Sequence, residues 1–357
     1  MRILHITAMS PLSPNSGIPV VLRELTEEQN KIKNVESRVL SLCSEVSQIN
    51  SRYFDFIKKQ ELDIYLDNFS PNIAVFHSFF HIEYRYVCKL LKKKGIPFII
   101  EPHGSFGRSA LKKSRIKKYI ADQTVFRSLI HDSICYIFTS EEEKRDSAYR
   151  NDGDLLIPNG VRLDIIKDAK VKNKTKKPVF YFLGRYDVNH KGLDYLFDAL
   201  DILEKKQVNL IINFYGTGTN EQKDYVNKRL SDYRSVTACD CGPIYGEDKK
   251  RALENSNILV LTSRYEGSPI TVLDGLSYGN PCVVTPGTNV SEKIVDNSLG
   301  WKTELDAKTI ANILLVAEKE YLDKQEEYEK NCKEYVKQNY SWELIATKSI
   351  ELFERLI

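Results

Sequence analysis

Short apolar runs alternate with longer, mixed stretches along the whole chain. In the first half the runs predict strands at residues 2–8, 37–42, 73–77, 98–101 and 134–139. In the second half they predict strands at 179–184, 208–215, 236–239, 258–262 and 282–285. Each run is apolar on both faces and is separated from the next by a helical or long connecting stretch, which is typical of buried parallel strands in βαβ units. The pattern therefore predicts an α/β chain with doubly wound parallel sheets.

Length and patterning together predict two domains. A chain of 357 residues is longer than one hydrophobic core usually supports. Residues 166–178 contain six lysines and almost nothing apolar, so they predict a solvated basic linker. We therefore expect one Rossmann-like domain at 1–165 and a second at 179–340. Residues 341–357 predict an amphipathic helix, capped by Ser341, that needs a surface to pack on.

Composition narrows the class of protein. A chain with 42% hydrophobic and 28% charged residues is ordinary for a globular protein, and a net charge of +3 gives no reason to expect nucleic-acid binding. Seven cysteines without a CxxC pair argue against disulfides or a zinc site, and we expect Cys239 and Cys241 to be buried thiols. No run approaches the roughly 20 apolar residues of a membrane span. The first nine residues predict a strand rather than a signal peptide, so a cytoplasmic protein is expected.

Two cations follow the predicted strand at 179–184. Arg185 comes directly after Gly184, and Lys191 precedes a stretch with apolar residues at helical spacing. Two cations beside a helix N-terminus suit a diphosphate, because the helix dipole and free N–H groups add to their charge. Either cation alone is more often a solvated surface residue. The helical residues are Leu193, Leu196, Phe197 and Leu200.

A glycine pair follows the next predicted strand, in Tyr215-Gly216-Thr217-Gly218. Glycines let a backbone approach a ligand closely, although a lone G-x-G is more often a plain turn. The third glycine of a G-x-G-x-x-G fingerprint is replaced by Glu221, which lowers the expectation of a nicotinamide dehydrogenase.

Two carboxylates follow the predicted strand at 258–262. Glu266 lies in the loop, and Asp274 lies about one turn inside a helix that Pro269 is suited to begin. Paired carboxylates suit the vicinal hydroxyls of a ribose or hexose. The alternative is a capping carboxylate at Glu266 and a solvated helix acid at Asp274. The N–H groups expected to face a ligand are those of Ser268, Ile270 and Thr271, beside Gly267.

The first half offers weaker candidates at its strand ends. His103-Gly104 follows the strand at 98–101, where an imidazole can reach a ligand, but a lone histidine is more often structural. His77 has the same ambiguity. Gly17 follows the first strand and would let the backbone approach a phosphate, although most such loops are only turns.

The ordered set of motifs resembles the retaining GT-B glycosyltransferases of family 4, over nearly the whole chain. The resemblance implies two Rossmann-like domains facing a central cleft, with the acceptor in the first domain, the nucleotide sugar in the second, and a last helix that crosses back to the first. The matching segments are Gly17, His103-Gly104, Ser140-Glu141, 157–161, Gly184-Arg185, Lys191-Gly192, Gly216 with Gly218, 266–274, 279–281 and Ser341-Trp342-Glu343.

The resemblance also implies a role for each residue. Arg185 and Lys191 would neutralise the donor diphosphate, Glu266 would contact the transferred sugar, and His103 would lie near the reaction centre; these four are the predicted catalytic residues. Asp274 stands where the family has a glutamate that binds ribose, and it is shorter by about 1.5 Å. Gly275 replaces the usual alanine. The predicted donor contacts are Gly17, Gly184, Arg185, Lys191, Gly216, Glu266, Gly267, Ser268, Pro269, Ile270 and Asp274.

The chemistry of transfer does not require a metal. Negative charge grows on the leaving diphosphate, and fixed cations with helix-terminal N–H groups stabilise that charge. The D-x-D at Asp152-Gly153-Asp154 lies in a polar loop and not at a strand end. We therefore predict no metal and no cofactor, and the resemblance implies same-face attack by the acceptor hydroxyl.

A basic stretch at 85–127 bears on the acceptor. It holds twelve Lys and Arg against two acids, with apolar residues interleaved. Two interpretations stay open: a solvated helical face, or a basic amphipathic surface that lies on an anionic membrane at the inner face of the cell membrane. In similar enzymes the first domain takes the acceptor, often a lipid-linked sugar, which favours capsule or lipopolysaccharide assembly. The lysines at the centre of the stretch are Lys112, Lys113, Lys117 and Lys118.

The leading hypothesis is a hexosyltransferase that uses a UDP-sugar, rather than a GDP-sugar, and a glycan or lipid-linked acceptor. A catalytically inert GT-B subunit that binds a partner transferase is the alternative, and Asp274 keeps it open. A nucleotide-sugar epimerase of the same fold is a third possibility.

Overall fold

The protein folds into two α/β units, as the alternation of runs predicts. The computed structural model describes residues 1–9, 17–43, 52–107, 126–162, 166, 172–266 and 270–357. The first unit comprises Met1–Gly160 with Ser341–Ile357, and the second comprises Val161–Tyr340.

The first unit is built on a five-stranded parallel sheet in the order β3-β2-β1-β4-β5. Its strands are β1 (Arg2–Thr7), β2 (Glu36–Ser41), β3 (Phe54–Phe56), β4 (Ile73–His77) and β5 (Phe98–Glu101), followed by the short parallel pair β6 (Ile137–Phe138) and β7 (Leu155–Leu156). Its helices are α1 (Gly17–Gln29), α2 (Leu62–Phe69), α3 (Tyr84–Lys93), α4 (Arg127–Asp132) and α5 (Glu141–Asp146), with a 3-10 turn at Lys59–Glu61. The strand order reverses between β1 and β4.

The C-terminal helix, Trp342–Glu354, belongs to the first unit and packs on α1. The Ser341 side chain accepts a hydrogen bond from the Leu344 N–H, so the predicted N-cap is confirmed. Trp342 is buried, and its ring lies directly against Gly160. One apolar face of this helix thus completes the core of the unit.

The second unit is built on a six-stranded parallel sheet in the order β10-β9-β8-β11-β12-β13. Its strands are β8 (Val179–Arg185), β9 (Ile211–Thr217), β10 (Thr237–Asp240), β11 (Ile258–Leu261), β12 (Cys282–Val284) and β13 (Gly300–Lys302). Its helices are α6 (Val188–Lys191), α7 (Leu193–Lys205), α8 (Asn220–Ser231), α9 (Gly246–Asn255), α10 (Ile270–Ser277), α11 (Ser291–Asp296) and α12 (Ala307–Tyr340, kinked at Lys324), with a 3-10 turn at Pro286–Thr288.

The apolar pattern predicted strands β8 to β12 of the second sheet. Phe180, Tyr181 and Phe182 are consecutive and all fully buried, so both faces of β8 are covered, as a doubly wound sheet requires. The apolar residues at helical spacing after Lys191 form the buried face of α7. Strands β3, β7 and β13 were not predicted, because β7 has only two residues and β3 and β13 each include a charged residue, whereas the equally short β6 and β12 lie within longer apolar runs.

Two expectations about single side chains were wrong. Cys239 and Cys241 are exposed rather than buried, because Cys239 lies on the edge strand β10, whose residues alternate between exposed and half-buried, and Cys241 follows that strand. Lys172, expected in a solvated linker, instead directs its ammonium group at the carbonyl oxygens of Leu253 and Ser256. None of the described helices has the length and apolar character needed to cross a membrane.

The contact between Gly160 and Trp342 predicts a site-specific cost of adding one methyl group. A Cβ at Gly160 would lie 2.6 Å and 2.8 Å from atoms of the buried indole ring, so Gly160→Ala should destabilise the first unit by about 1–3 kcal/mol. Gly153→Ala is the matched control, since a Cβ there meets nothing within 4 Å. Urea unfolding followed by tryptophan emission measures both, and equal midpoints for the two variants would contradict the packing.

Candidate active site

An ion pair joins the ends of β8 and β11 in the second unit. The Lys191 Nζ lies 2.6 Å from the Glu266 Oε1, and the Ser263 hydroxyl donates to the same oxygen at 2.5 Å. The two charged side chains are only 13% and 10% exposed. The structure therefore brings together two of the predicted catalytic residues that are 75 positions apart.

The pair lies at the point where the strand order of this sheet reverses. Chain order runs from β8 outward to β10 on one side, and then from β11 to β13 on the other side of β8. In open α/β sheets, ligands bind outside the carboxyl ends of the strands at such a switch point, because the crossover helices on the two sides leave a crevice there. Lys191 and Glu266 follow the two strands that flank this crevice.

Close backbone packing holds Lys191 at this position. Gly192 has a φ of +63°, and a Cβ there would collide with the Thr262 carbonyl oxygen at the end of β11. The Thr262 hydroxyl donates to the carbonyl oxygens of Lys191 and Gly192 at 3.1 Å and 3.2 Å. Only glycine permits this approach, so the K-G sequence has a direct structural reason.

The predicted glycines lie beside the pair. Gly184 and Gly216 are partners in the β8–β9 register. A Cβ at Gly184 would lie 3.7 Å from the Lys191 Cε, so the lysine side chain crosses over this glycine. A Cβ at Gly216 would collide with the Gly184 carbonyl oxygen and would lie 2.5 Å from the Tyr186 ring. Packing alone therefore requires glycine at 216.

Three residues that the sequence analysis missed hold the Glu266 loop. The His190 Nε2 lies 2.8 Å from the Tyr265 carbonyl oxygen, its ring stacks on that of Tyr265, and the same nitrogen is 3.9 Å from the Glu266 Oε2. Burial lowers the pKa of His190. The Asn289 side chain donates to the Glu266 carbonyl oxygen at 2.5 Å. The position of His190 directly before Lys191 was the one available signal.

The other predicted donor contacts lie in different environments. Arg185 is exposed at the end of β8. Asp274 on α10 is not a solvated acid, because its Oδ2 lies 2.5 Å from the Lys249 Nζ on α9. Ile270 begins α10 and is 44% exposed. Gly267, Ser268 and Pro269 lie outside the described residues, so the expected N–H groups at the start of this helix remain predictions.

The glycine at position 275 has a packing reason. A Cβ there would lie 2.8 Å from the hydroxyl group of Tyr181, which is fully buried. That hydroxyl group is within 3.2 Å of the Asn280 side-chain nitrogen. An alanine would therefore have to displace a buried, hydrogen-bonded tyrosine.

His103 lies in the first unit, within a chain of buried polar side chains. Its Nε2 is 3.0 Å from the His77 Nδ1, and the His77 Nε2 is 2.8 Å from the His5 Nδ1. Glu101 adds a carboxylate, with its Oε2 3.2 Å from the His77 Nδ1. The catalytic role of His103 stays a prediction, as does the role of Gly17, where α1 begins. Lys112, Lys113, Lys117 and Lys118 lie outside the described residues.

The titration of this cluster is set by burial. Burial lowers the pKa of His5 and of His77 to about 3 and that of His103 to about 4, and it raises the pKa of Glu101. His77, Glu101 and His103 are also the residues, within the described part of the chain, whose ligand atoms lie close enough together to hold a metal ion. Neither His5 nor Glu101 was selected from the sequence, because both lie within apolar strands.

A neighbouring glutamate fixes the loop that carries His103. The Glu143 Oε1 accepts from the Gly104 N–H at 2.6 Å, and the Oε2 accepts from the Thr139 N–H and hydroxyl group at 2.8 Å and 2.7 Å. Burial raises the pKa of Glu143. The Ser140 side chain caps α5 by accepting from the Glu143 N–H. The S-x-x-E motif thus has a structural function in this unit.

The burial of the Lys191–Glu266 pair predicts a strong energetic coupling. Lys191→Met should destabilise the second unit by about 3–5 kcal/mol, because it leaves the Glu266 carboxylate buried without its cation. The double variant Lys191→Met/Glu266→Gln should recover part of that loss, with a coupling energy of about 1–3 kcal/mol in a double-mutant cycle of urea unfolding. The exposed pair Arg251–Asp248 is the matched control, with an expected coupling below about 1 kcal/mol. Equal couplings would show that Lys191 and Glu266 are solvated in solution.

Comparison with known sequences finds matches in the second unit. Residues 164–339 match the family model "Glycosyl transferases group 1". A glycogen synthase of Thermodesulfovibrio yellowstonii is 26% identical over 198 residues, which are 54% of this chain and 38% of that protein. The chain therefore spans well under half the length of this curated relative.

Solved structures match over the full length. A glycosyltransferase of Rickettsia africae superposes with a TM-score of 0.73 at 15% identity, covering 99% of this chain and 98% of that chain. The Anabaena protein HepE, in a crystal structure with UDP, gives a TM-score of 0.73 at 13% identity and covers 99% and 100%. The chain thus has the GT-B fold, and its residues 164–339 match the model of the glycosyl transferases group 1 family.

Proposed function

We propose that the protein is a retaining glycosyltransferase that moves a hexose-type sugar from a nucleotide diphosphate sugar to a glycan or lipid-linked acceptor. The observation that carries the proposal is the buried Lys191–Glu266 pair at the switch point of the second sheet. HepE contains UDP, which favours a UDP-sugar over a GDP-sugar as donor. The pathway that we favour is cell-surface polysaccharide assembly, as in capsule or lipopolysaccharide.

The two residues of the pair contact different parts of the donor: Lys191 the diphosphate and Glu266 the sugar. As the bond between the anomeric carbon and the phosphate oxygen breaks, negative charge grows on the departing diphosphate. The Lys191 ammonium group stabilises this charge from a position that is already fixed and mostly desolvated, which makes it effective. Arg185, at the end of the same strand, adds a second cation from the exposed side. The Glu266 carboxylate then accepts hydrogen bonds from sugar hydroxyls.

Donor binding as proposed needs no divalent ion at the diphosphate. Two protein cations supply the positive charge that Mg²⁺ or Mn²⁺ would otherwise supply. The acceptor hydroxyl attacks the anomeric carbon from the face that the diphosphate leaves, so the configuration is retained. Its proton passes to the leaving phosphate oxygen, and no side chain is assigned as a nucleophile.

A basic cavity in the first unit supports an anionic acceptor. It has a volume of about 670 Å³ and opens between α3 and α4. Four cations line it, from the basic stretch that the sequence singled out: Arg85, Lys89, Lys92 and Arg127. Lys92 is paired with Asp132. A phosphate-bearing or lipid-linked acceptor suits such a surface, and its lipid would bring the protein to the inner face of the cell membrane.

One structural observation favours the alternative of a catalytically inert subunit. Asp274 is engaged by Lys249, so its carboxylate is shared with a cation and is less free to bind ribose hydroxyls. An inert subunit would bind no nucleotide at the switch point, whereas the enzyme must, so nucleotide binding separates the two proposals.

Thermal melting with nucleotides tests the donor site. UDP or a UDP-sugar should raise the midpoint of the second unit, since a ligand at 100 times its Kd adds about 2.7 kcal/mol of stability. Arg185→Ala should reduce the shift, and adding Mg²⁺ should leave it unchanged. Arg251→Ala, with a side chain 69% exposed on α9, is the matched control. No shift with UDP, GDP or ADP, or an equal shift in both variants, would reject the donor site.

Liposome flotation tests the membrane proposal. The intact protein should float with anionic vesicles and not with neutral ones, because each basic residue near an anionic surface contributes about 1 kcal/mol. Replacing Lys112, Lys113, Lys117 and Lys118 by Gln should abolish flotation. The control replaces four exposed lysines of the second unit, Lys205, Lys206, Lys228 and Lys308. Absence of flotation by the intact protein, or equal loss in the control, would rule out membrane attachment through the basic stretch.

A further inference from the structure

Three potential ligand groups meet at the carboxyl ends of two neighbouring strands of the first sheet. His77 ends β4, Glu101 ends β5, and the two are direct partners in the parallel register. Side chains of register partners lie on one face of a sheet. His103 follows two residues later with a φ of +47°, and its ring stacks on His77 with centroids 5.3 Å apart. A left-handed backbone at a non-glycine residue is costly, and such strain concentrates at functional sites.

Hydrogen-bond directions fix the protonation of the rings behind this cluster. The Ser349 hydroxyl group donates to the Ala346 carbonyl oxygen, so it must accept from the Gln29 Nε2 at 3.0 Å. The Gln29 Oε1 therefore faces the other way, where it accepts from the Ser37 hydroxyl group at 2.7 Å and from the His5 Nε2 at 2.9 Å. His5 consequently carries its proton on Nε2.

The same hydrogen-bond directions determine which nitrogen of His77 carries a proton. His5 is fully buried and its ring is neutral, so its Nδ1 has no proton and must accept from the His77 Nε2 at 2.8 Å. A neutral His77 then has a bare Nδ1. This nitrogen lies 3.2 Å from the Glu101 Oε2 and 3.0 Å from the His103 Nε2.

A bare imidazole nitrogen beside a carboxylate in a buried site is stabilised by a proton or a metal ion between them. A bare imidazole nitrogen and a carboxylate oxygen repel each other, and the surrounding core supplies no solvent to screen them. A proton on Glu101 or on the His103 Nε2 would relieve this repulsion by donating to the His77 Nδ1. A metal ion would relieve it by binding all three groups at once.

The distances match a metal site. The His77 Nδ1 and the His103 Nε2 are 3.0 Å apart, and each lies near a different oxygen of Glu101, with Oε2 at 3.2 Å from His77 and Oε1 at 3.6 Å from His103. For metal–ligand bonds of about 2.0–2.1 Å in tetrahedral geometry, ligand atoms lie roughly 3.3 Å apart. Two imidazoles and one carboxylate form a ligand set that suits Zn²⁺ and leaves a fourth position open. The hydrogen bond from His77 to His5 is the outer contact that orients a ligating imidazole.

We propose that the His77 Nδ1, the His103 Nε2 and the Glu101 carboxylate bind one divalent transition-metal ion, with Zn²⁺ as the class of ion that fits best. The ion joins β4, β5 and the His103 loop within the first unit. This inference does not rest on the proposed function, and it assigns the ion no step in sugar transfer.

Cobalt substitution tests the site in the full chain. The parent protein carries Cys239→Ser and Cys241→Ser, because these exposed thiols of the second unit would bind the same metals. After dialysis against a chelator, Co²⁺ should bind at one equivalent with the intense visible absorption of a four-coordinate ion, and Zn²⁺ should displace it.

Single replacements show where the ion binds. Glu101→Gln and His103→Ala should each weaken Co²⁺ binding at least tenfold, while His131→Ala, which removes an exposed histidine, should not. Glu101→Gln is nearly isosteric and decides the matter alone if His103→Ala does not fold. The proposal is overturned if the parent binds no Co²⁺, which would leave a proton on Glu101 or on the His103 Nε2. Binding that persists in Glu101→Gln would equally overturn it, since the ion would then be adventitious.

Discussion

The buried pairing of Lys191 with Glu266 is the interaction on which the candidate active site depends. A mostly desolvated lysine needs a counter-charge, and the carboxylate needs the lysine, so each fixes the other at the end of its strand. The glycine that follows Lys191 permits the close approach to β11 that makes the pairing possible. The result is a cation that is already oriented, which is the condition for the electrostatic stabilisation of a leaving group that we propose for this site.

In the first unit, buried polar side chains also hold one another in position, here through hydrogen bonds between neutral groups. Its buried histidines are linked in one direction by hydrogen bonds that begin at Ser349 of the C-terminal helix. That helix therefore contributes more than an apolar face, because its serine determines which nitrogen of His5 carries the proton. The chain of donors ends at the His77 Nδ1, which lies 3.2 Å from the Glu101 carboxylate.

The sequence predicted the parts of the protein that depend on periodicity and on motif order. Long, doubly covered strands such as β4 and β8 gave clear apolar runs, and the position of each motif after a strand indicated the crevice. The sequence did not predict which side chains pair. Asp274 was expected to bind ribose hydroxyls or to be solvated, and its pairing with Lys249 from another helix was not foreseen. Cys239 lies on an edge strand, and edge position depends on strand order, which local pattern does not contain. His5 and Glu101 were missed because a polar residue within an apolar run carries no local signal of its partners.

Calorimetric titration of UDP tests the central claim most directly. The parent here is the protein with its native sequence, and it is compared with the double variant Lys191→Met/Glu266→Gln. The double variant removes both charges together, so it avoids a lone buried charge and retains the fold, and the comparison isolates ligand binding from stability. The account predicts that UDP binds the parent at one site and that the double variant binds at least tenfold more weakly, a loss of about 1.4 kcal/mol or more. Equal affinity for UDP in the two proteins would contradict the account, because the nucleotide would then bind elsewhere in the fold.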